Sequence, residues 1–278
     1  MRKIGLFSVV LVVLLLSACG GTGQPAATDM PELSGRVSVA GSTTVQPLAE
    51  KLAEAFRAKY PKVQIDIQGG GSSVGVKSAG EGTADIGTVS REVKAEEMQQ
   101  FPDLKVHTIA LDGIAIVVNR NVSVAGLTKD QVRGIFAGQI TNWKEVGGAD
   151  APILVVSREE GSGTRTAFEE LVMGKDTPIA ATALLQPSNG AVRTTVTTTP
   201  DSVGYLSFGY LDSSVTALTI EGVEPTTENV LNKNYPISRP LNMLTKGEPA
   251  GVVKAWLDWI LGPDGQRVVA DEHYIPVR

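Results

Sequence analysis

Ile153-Leu154-Val155-Val156-Ser157-Arg158-Glu159-Glu160-Gly161-Ser162-Gly163-Thr164-Arg165 passes from an apolar strand pattern, through two glycines, into a helix-like stretch reaching Met173. The glycines keep side-chain bulk away, so a ligand can approach the backbone N–H groups closely. Those amides are the donors that a helix start leaves unpaired, and its partial positive charge favours an anion. Ser162 and Thr164 add hydroxyls, and Arg158 and Arg165 add full charges on either side. An ordinary Ser/Thr helix cap uses the same residues. Taken alone, the stretch leaves cap and anion cradle equally open.

Repetition tips the balance. Val37-Ser38-Val39-Ala40 leads into Gly41-Ser42-Thr43-Thr44 and a helix expected around Pro47 to Tyr60. Val63 to Gln68 leads into Gly69-Gly70-Gly71-Ser72-Ser73 and a helix through Val76 to Ala79, and Ser90-Arg91 follows a short strand from Asp85 to Val89. In open α/β sheets ligands gather outside the carboxyl ends of strands, where helix N-termini point. Several such ends meeting at one small anion is a stronger proposition than any one of them.

The rest of the chain keeps the α/β alternation. Leu48, Leu52, Phe56 and Tyr60 recur at four-residue steps along the first helix. His107 to Leu111 and Ile114 to Val118 form one long strand, interrupted at Asp112-Gly113. Thr128 with Gln131 makes a capping box for a helix over Lys129 to Phe136. Thr194 to Thr199 reads as a β-prone or loop segment, a solvated edge. Val203 to Phe208 reads as a buried strand, and Ser238 to Thr245 as a second long strand that returns the chain to the first domain. Ala250 to Leu261 is helical, and Gly262-Pro263 stops it and opens a last helix from Asp264 to about Asp271.

Arg2-Lys3 ahead of the apolar run Ile4 to Leu16 is a signal-peptide pattern, shorter than the roughly 20 residues of a membrane span. It ends in Leu16-Ser17-Ala18-Cys19-Gly20, which resembles a bacterial lipobox. That resemblance implies cleavage after residue 18 and a lipid on Cys19. Cys19 is the only cysteine, which excludes an intrachain disulfide and a Cys-based metal site. Residues 19–35, rich in Gly, Thr, Pro, Ala and Gln, read as a flexible tether. Without Arg2 and Lys3 the formal charge falls from −5 to −7, which argues against nucleic acid as a partner. Local dipoles and arginines outweigh that distant net charge at a small-anion site.

Three enzymatic readings compete. Gly71-Ser72-Ser73-Val74-Gly75 matches the Gly-x-Ser-x-Gly elbow of a serine hydrolase, with Ser73 as nucleophile and His273 as the only plausible base. Nothing around His273 marks it as a base, and the two other hydroxyl-bearing helix starts go unexplained. Gly70 to Ser78 nearly matches a P-loop, but Val76 separates Gly75 from Lys77. Two histidines and no clustered carboxylates give no metal-ligand spacing. No catalysis, metal or cofactor is expected.

Residues 39–48, 69–75, 84–92 and 158–165 together resemble the phosphate-binding substrate-binding proteins of ABC importers. So do Ser188 to Val192, Val203-Gly204-Tyr205 and Gly262 to Gln266, in the same order along nearly the whole chain. The resemblance implies a two-lobed periplasmic-binding-protein (type II) fold with two crossover strands. Residues 36–112 and 238–278 would form domain I and residues 113–237 domain II. By position, Thr43 and Thr44 resemble contacts of the first helix, Ser72 that of the second loop, and Arg158, Ser162, Gly163 and Thr164 those of the opposite domain. Ser42, Ser73, Ser90 and Arg91 are added as neighbours. Glu160 takes the place of an acid that orients the family's arginine.

Some members carry Asp where this chain has Ser90. The acceptor for a phosphate proton is then Ser90, Asp85 or Glu160 turned inward. The implied partners are inorganic phosphate, an ABC permease and, through Cys19, the outer face of the cell membrane, with the protein a monomer. Sulfate or a phosphonate is the alternative ligand.

Overall fold

The computed structural model describes residues 33–278, so the expected signal segment, Cys19 and the tether up to residue 32 lie outside the described residues. The chain opens with β1 (Gly35–Gly41), α1 (Val45–Lys59), β2 (Val63–Gly69), α2 (Ser72–Glu81), β3 (Ile86–Val89) and α3 (Ala95–Gln100). The long β4 (Leu104–Val118) leads to β5 (Gly126–Leu127), α4 (Lys129–Phe136), β6 (Leu154–Arg158), α5 (Gly163–Phe168), β7 (Leu184–Gln186), α6 (Asn189–Thr198) and β8 (Ser202–Ser207). Then follow β9 (Thr216–Ala217), β10 (Thr219–Ile220), α7 (Thr227–Leu231), β11 (Ser238–Lys246), α8 (Gly251–Ile260) and α9 (Pro263–Asp271).

One sheet runs through the molecule in the order β2-β1-β3-β11-β4-β8-β6-β7. β1 is parallel to β2 and β3, while β11 lies antiparallel to both β3 and β4. The second half of β4 is antiparallel to β8, which continues in parallel to β6 and β7. Two large hydrophobic cores flank the β4–β11 pair, with a smaller cluster of Val76, Ala79, Val89, Leu104 and Leu244 beside them. One gathers Leu48, Leu52 and Phe56 of α1 with Trp256, Leu257 and Ile260 of α8. The other gathers Ile114 to Val118 with Phe136, Phe168 and Tyr205. The protein is therefore two-lobed, with β4 and β11 crossing between the lobes. Ile114 to Val118 have no exposed surface, as a strand buried on both faces requires.

Two local expectations are corrected. The threonine run is the end of helix α6, not a strand or loop. Ser188 Oγ caps that helix by accepting from Ala191 N (3.0 Å), and Val192 and Val196, one turn apart, bury themselves against Gly204. The hydroxyls of Thr197 and Thr198 donate back to the carbonyls of Arg193 (2.8 Å) and Thr194 (2.9 Å), so the helix absorbs their polarity. A cap and one apolar pair have overridden β-propensity. Asp112-Gly113 does not interrupt β4 either. Asp112 is fully buried and faces Arg239 across the β4–β11 ladder, so its charge is answered inside the sheet.

Candidate functional site

Three strand ends deliver hydroxyls to one place. After β1, Ser42 Oγ accepts from Thr44 N (3.1 Å) and Val45 N (3.3 Å). After β2, Ser72 opens α2, and its Oγ accepts from Ser90 N (3.1 Å) at the end of β3. After β6, Ser162 caps α5 by accepting from Arg165 N (3.2 Å). Cap and cradle are thus compatible readings of one residue. A serine oxygen that accepts a backbone N–H keeps its own proton free to donate.

The two lobes meet here. Thr44 Oγ1 lies 3.0 Å from Thr164 Oγ1, Arg158 donates to Thr43 Oγ1 (3.2 Å), and Ser73 N donates to Gly161 O (3.2 Å). The approach is close enough to demand glycine: a Cβ on Gly163 would lie 2.1 Å from Ser72 Oγ and 2.8 Å from Ser90 Oγ. Thr44 Oγ1 also receives Asn189 Nδ2 (2.8 Å) and an Arg239 nitrogen (3.2 Å), groups that can only donate. With both its lone pairs taken, Thr44 must pass its proton to Thr164, whose own proton is then left to donate. Gly163 and Thr164 are the first residues of α5, so their N–H groups lie beyond the reach of the helix ladder.

Arg158 dominates the electrostatics. It is 2% exposed, and its guanidinium donates to Gln186 O (3.1 Å), Pro187 O (2.9 Å) and Thr43 Oγ1, with the second terminal nitrogen unpartnered. Its backbone N–H donates to Tyr205 Oη (3.3 Å), and that ring stacks on Phe168 at 4.2 Å, which anchors the end of β6. Among the described residues no carboxylate forms an ion pair with it. Burial pushes its pKa down to about 10, and Arg239 nearby adds to the effect. A buried cation without a counter-charge is costly to keep.

The structure brings Ser42, Thr43, Thr44, Ser72, Ser90, Arg158, Ser162, Gly163 and Thr164 together and leaves others aside. Ser73 is exposed on the rim. Arg91, expected to add charge to the site, instead binds Glu97 through its terminal nitrogens (2.7 and 2.8 Å) in the manner of a structural ion pair. Arg165 likewise pairs with Glu169 (2.8 Å) and donates to Arg158 O. Glu160 is exposed and does not hold Arg158. Asp85 accepts from Ser38 N (2.8 Å) and Oγ (2.7 Å) at the opposite end of β3. Of the acceptors considered for a phosphate proton, only Ser90 stands in the cluster.

The hydrolase pair is not assembled: Ser73 is exposed and its N–H turns to Gly161 O, while the backbone N–H of His273 closes the last turn on Ala270 O. Among the described residues no group of three His, Cys, Asp or Glu is placed to hold a metal.

Sequence reasoning missed Asn189, Arg239, Asp112, Tyr210 and Tyr274. The two tyrosine hydroxyls donate to the carbonyls of Thr43 (2.6 Å) and Thr44 (3.1 Å). A signal existed for one of the five, since Asp112 is a charge set between the apolar runs Ile109 to Leu111 and Ile114 to Val118.

Residues 23–264 match the PBP superfamily domain. The phosphate-binding protein PstS of Bacillus subtilis strain 168 is 37% identical over 276 residues, covering 95% of this chain and 90% of its own. A substrate-binding protein assigned to phosphate ABC transport in Clostridium perfringens, solved with bound phosphate, is 46% identical with a TM-score of 0.85, over 88% of this chain and 100% of its own. An ABC-type phosphate transport receptor from Vibrio cholerae is 37% identical with a TM-score of 0.72, over 86% of this chain and 99% of its own. A hydroxyl-lined, arginine-floored cleft between two lobes, on a chain alike along nearly its whole length, places this protein in the PBP superfamily and, within it, in the family of PstS phosphate-binding proteins.

Proposed function

We propose that this chain is an extracytoplasmic receptor that holds inorganic phosphate between its lobes and delivers it to an ABC importer. The observation that carries the reading is Arg158, a buried guanidinium with no carboxylate partner and one nitrogen unspent, ringed by hydroxyls that accept backbone N–H groups and keep their own protons to donate. The proposed ligands are Thr43, Ser72, Arg158, Ser162, Gly163 and Thr164, with Ser42 and Ser90 beside them and Thr44 behind Thr164, whose proton it leaves free for the anion. The lobes divide between residues 112 and 113 and again between 237 and 238, where the chain crosses on β4 and β11. Closure follows because only the closed arrangement offers both sets of donors. No bond is made or broken.

The N-terminal pattern supports export and a lipid anchor on Cys19, and the protein is read as a monomer. No helix among the described residues is long and apolar enough to cross a membrane. A lining that consists almost wholly of donors also suits sulfate, which keeps that ligand as the second reading.

Titration calorimetry with phosphate and with sulfate between pH 5 and 8 tests the proposal. Phosphate is expected to bind tightly and sulfate at least tenfold more weakly. Equal affinities would overturn the assignment of phosphate, and binding of neither would overturn the site.

A further inference from the structure

Three arginines are buried in or beside the cradle: Arg91, Arg158 and Arg239. Arg91 is answered within its own lobe by Glu97, and Arg158 stands without a carboxylate. Arg239 differs from both, because its partner Asp112 lies directly across from it on the two strands that cross between the lobes. Asp112 is 0% and Arg239 4% exposed, and Asp112 Oδ2 accepts from Arg239 Nε (3.1 Å) and a terminal nitrogen (2.8 Å). The pair then reaches out on both sides. Asp112 Oδ1 accepts from Ser207 Oγ (2.9 Å) and Phe208 N (3.2 Å), where β8 ends in one lobe. Arg239 donates to Ser90 O (3.0 Å) and Thr44 Oγ1 (3.2 Å), two turns of the cradle in the other.

Stability alone is a weak reason for such a pair. Replacing a buried ion pair with apolar residues of similar volume is often neutral or stabilising. Here burial pushes the Asp112 acid up even with Arg239 beside it, so the carboxylate is kept at a cost. Its placement suggests what the cost serves. Arg239 cannot accept a hydrogen bond, so its contact obliges Thr44 to donate onward to Thr164 across the cleft. Asp112 meanwhile cancels a positive charge that would otherwise reach the anion undiminished.

We propose that Asp112 and Arg239 form a positioning and charge-setting element of the anion site. Arg239 fixes the proton direction of the Thr44–Thr164 pair, and Asp112 holds the cradle to one uncompensated cation, Arg158. The inference rests on the reading of this cleft as a phosphate site. It makes the two members of one ion pair act on affinity in opposite directions, which a merely structural pair would not do.

The test measures inorganic phosphate affinity by calorimetry on the full chain and on the Asp112→Asn and Arg239→Met variants, with thermal melts to verify folding. The amide introduced by Asp112→Asn keeps an oxygen acceptor for Ser207 and Phe208 but frees the Arg239 charge, so phosphate should bind at least fivefold tighter. Arg239→Met leaves Asp112 as an unpaired carboxylate near the anion and removes a donor from Thr44, so binding should weaken more than tenfold. If Arg239→Met does not fold, Arg239→Lys serves: it keeps the charge but cannot span Asp112, Ser90 and Thr44 together, and should also weaken binding. Weakening in both positions, or no change in either, overturns the proposal while leaving the phosphate site intact. Failure of the unaltered chain to bind phosphate overturns the site reading, and this inference falls with it.

Discussion

Removing the charge at Arg158 while keeping its bulk, as in Arg158→Met, separates what the guanidinium does for the anion from what it does for the fold. Its pKa is held at about 10 against an ordinary 12.5. At 1.36 kcal/mol per pH unit, the buried charge is unfavourable by about 3 kcal/mol until something negative arrives. A phosphate recovers that penalty on binding and adds charge-assisted hydrogen bonds, roughly twice as strong as neutral ones. The variant should therefore lose about two orders of magnitude in phosphate affinity, since about 1.4 kcal/mol is tenfold.

The effect on the phosphate-free fold should be small, because two terms oppose each other. The substitution would remove the uncompensated charge, but Gln186 O, Pro187 O and Thr43 Oγ1 would lose their donor. At a net value of about 1 kcal/mol per hydrogen bond, those losses nearly cancel the gain. Calorimetry gives the affinity, and denaturant unfolding with and without phosphate gives both stabilities. Phosphate binding within threefold of the unaltered protein would refute the reasoning about the charge. A loss above about 4 kcal/mol without phosphate would show that the protein alone already satisfies the guanidinium, as expected when a compensated buried pair is broken.

Three further changes probe the surroundings. Gly163→Ala places a methyl 2.1 Å from Ser72 Oγ, so the lobes should fail to close. Phosphate affinity should fall more than thirtyfold while the unfolding midpoint stays near that of the parent, and small-angle scattering should no longer contract with phosphate; contraction like the parent's would contradict the predicted clash. Ser90→Asp puts a carboxylate where the only clustered acceptor stands, and should lower sulfate affinity at least tenfold more than phosphate affinity by like-charge repulsion. Equal losses for both anions in competition titrations would count against Ser90 as the proton's neighbour. Glu97→Gln tests Arg91 as a structural cation. Burial pushes the Glu97 carboxyl up, but its bonds to Arg91 and to Lys94 N pull it below its ordinary 4.5. A folded pKa below the unfolded one stabilises above the unfolded value and ceases to do so as pH falls through the folded one. The stability gap between parent and variant should hold from neutral pH to about 5 and close as pH drops below 4.5. A gap that widens in acid would invert the assigned sign.

The proposed cradle was legible because its parts are local. A strand, a glycine, a hydroxyl and a helix start sit within a few residues of one another, and Ser42, Ser72 and Ser162 could be picked out by that grammar alone. What escaped was set by non-local contacts. Arg91 and Arg165 look like site charges until Glu97 and Glu169 are seen to hold them. Asp112 reads as a break in a strand until Arg239 is found opposite, well over a hundred residues on. The threonine run failed differently, because strand propensity outvoted the Ser188 cap and the Val192–Val196 pair that decide α6.

The same locality explains why the proposed anion cradle and the helix starts are written in the same residues. A serine or threonine is amphoteric, and in isolation its hydroxyl suits a cation as well as an anion. Accepting a backbone N–H, as the cap Ser162 does within α5 and as Ser42 and Ser72 do at the ends of β1 and β2, occupies the oxygen and leaves the hydroxyl proton to donate. At Thr44 the same result comes from Asn189 and Arg239, which reach it from elsewhere in the chain. A ring of such groups rejects cations by construction but treats one tetrahedral anion much like another. Choice among anions must then come from a group whose acceptor side is still open. Within the cluster the Ser90 hydroxyl is the candidate. Its backbone N–H and carbonyl make the shorter bonds to Ser72 and Arg239, and its side chain has only a 3.4 Å contact with Ser72 Oγ, which leaves a lone pair for a phosphate proton.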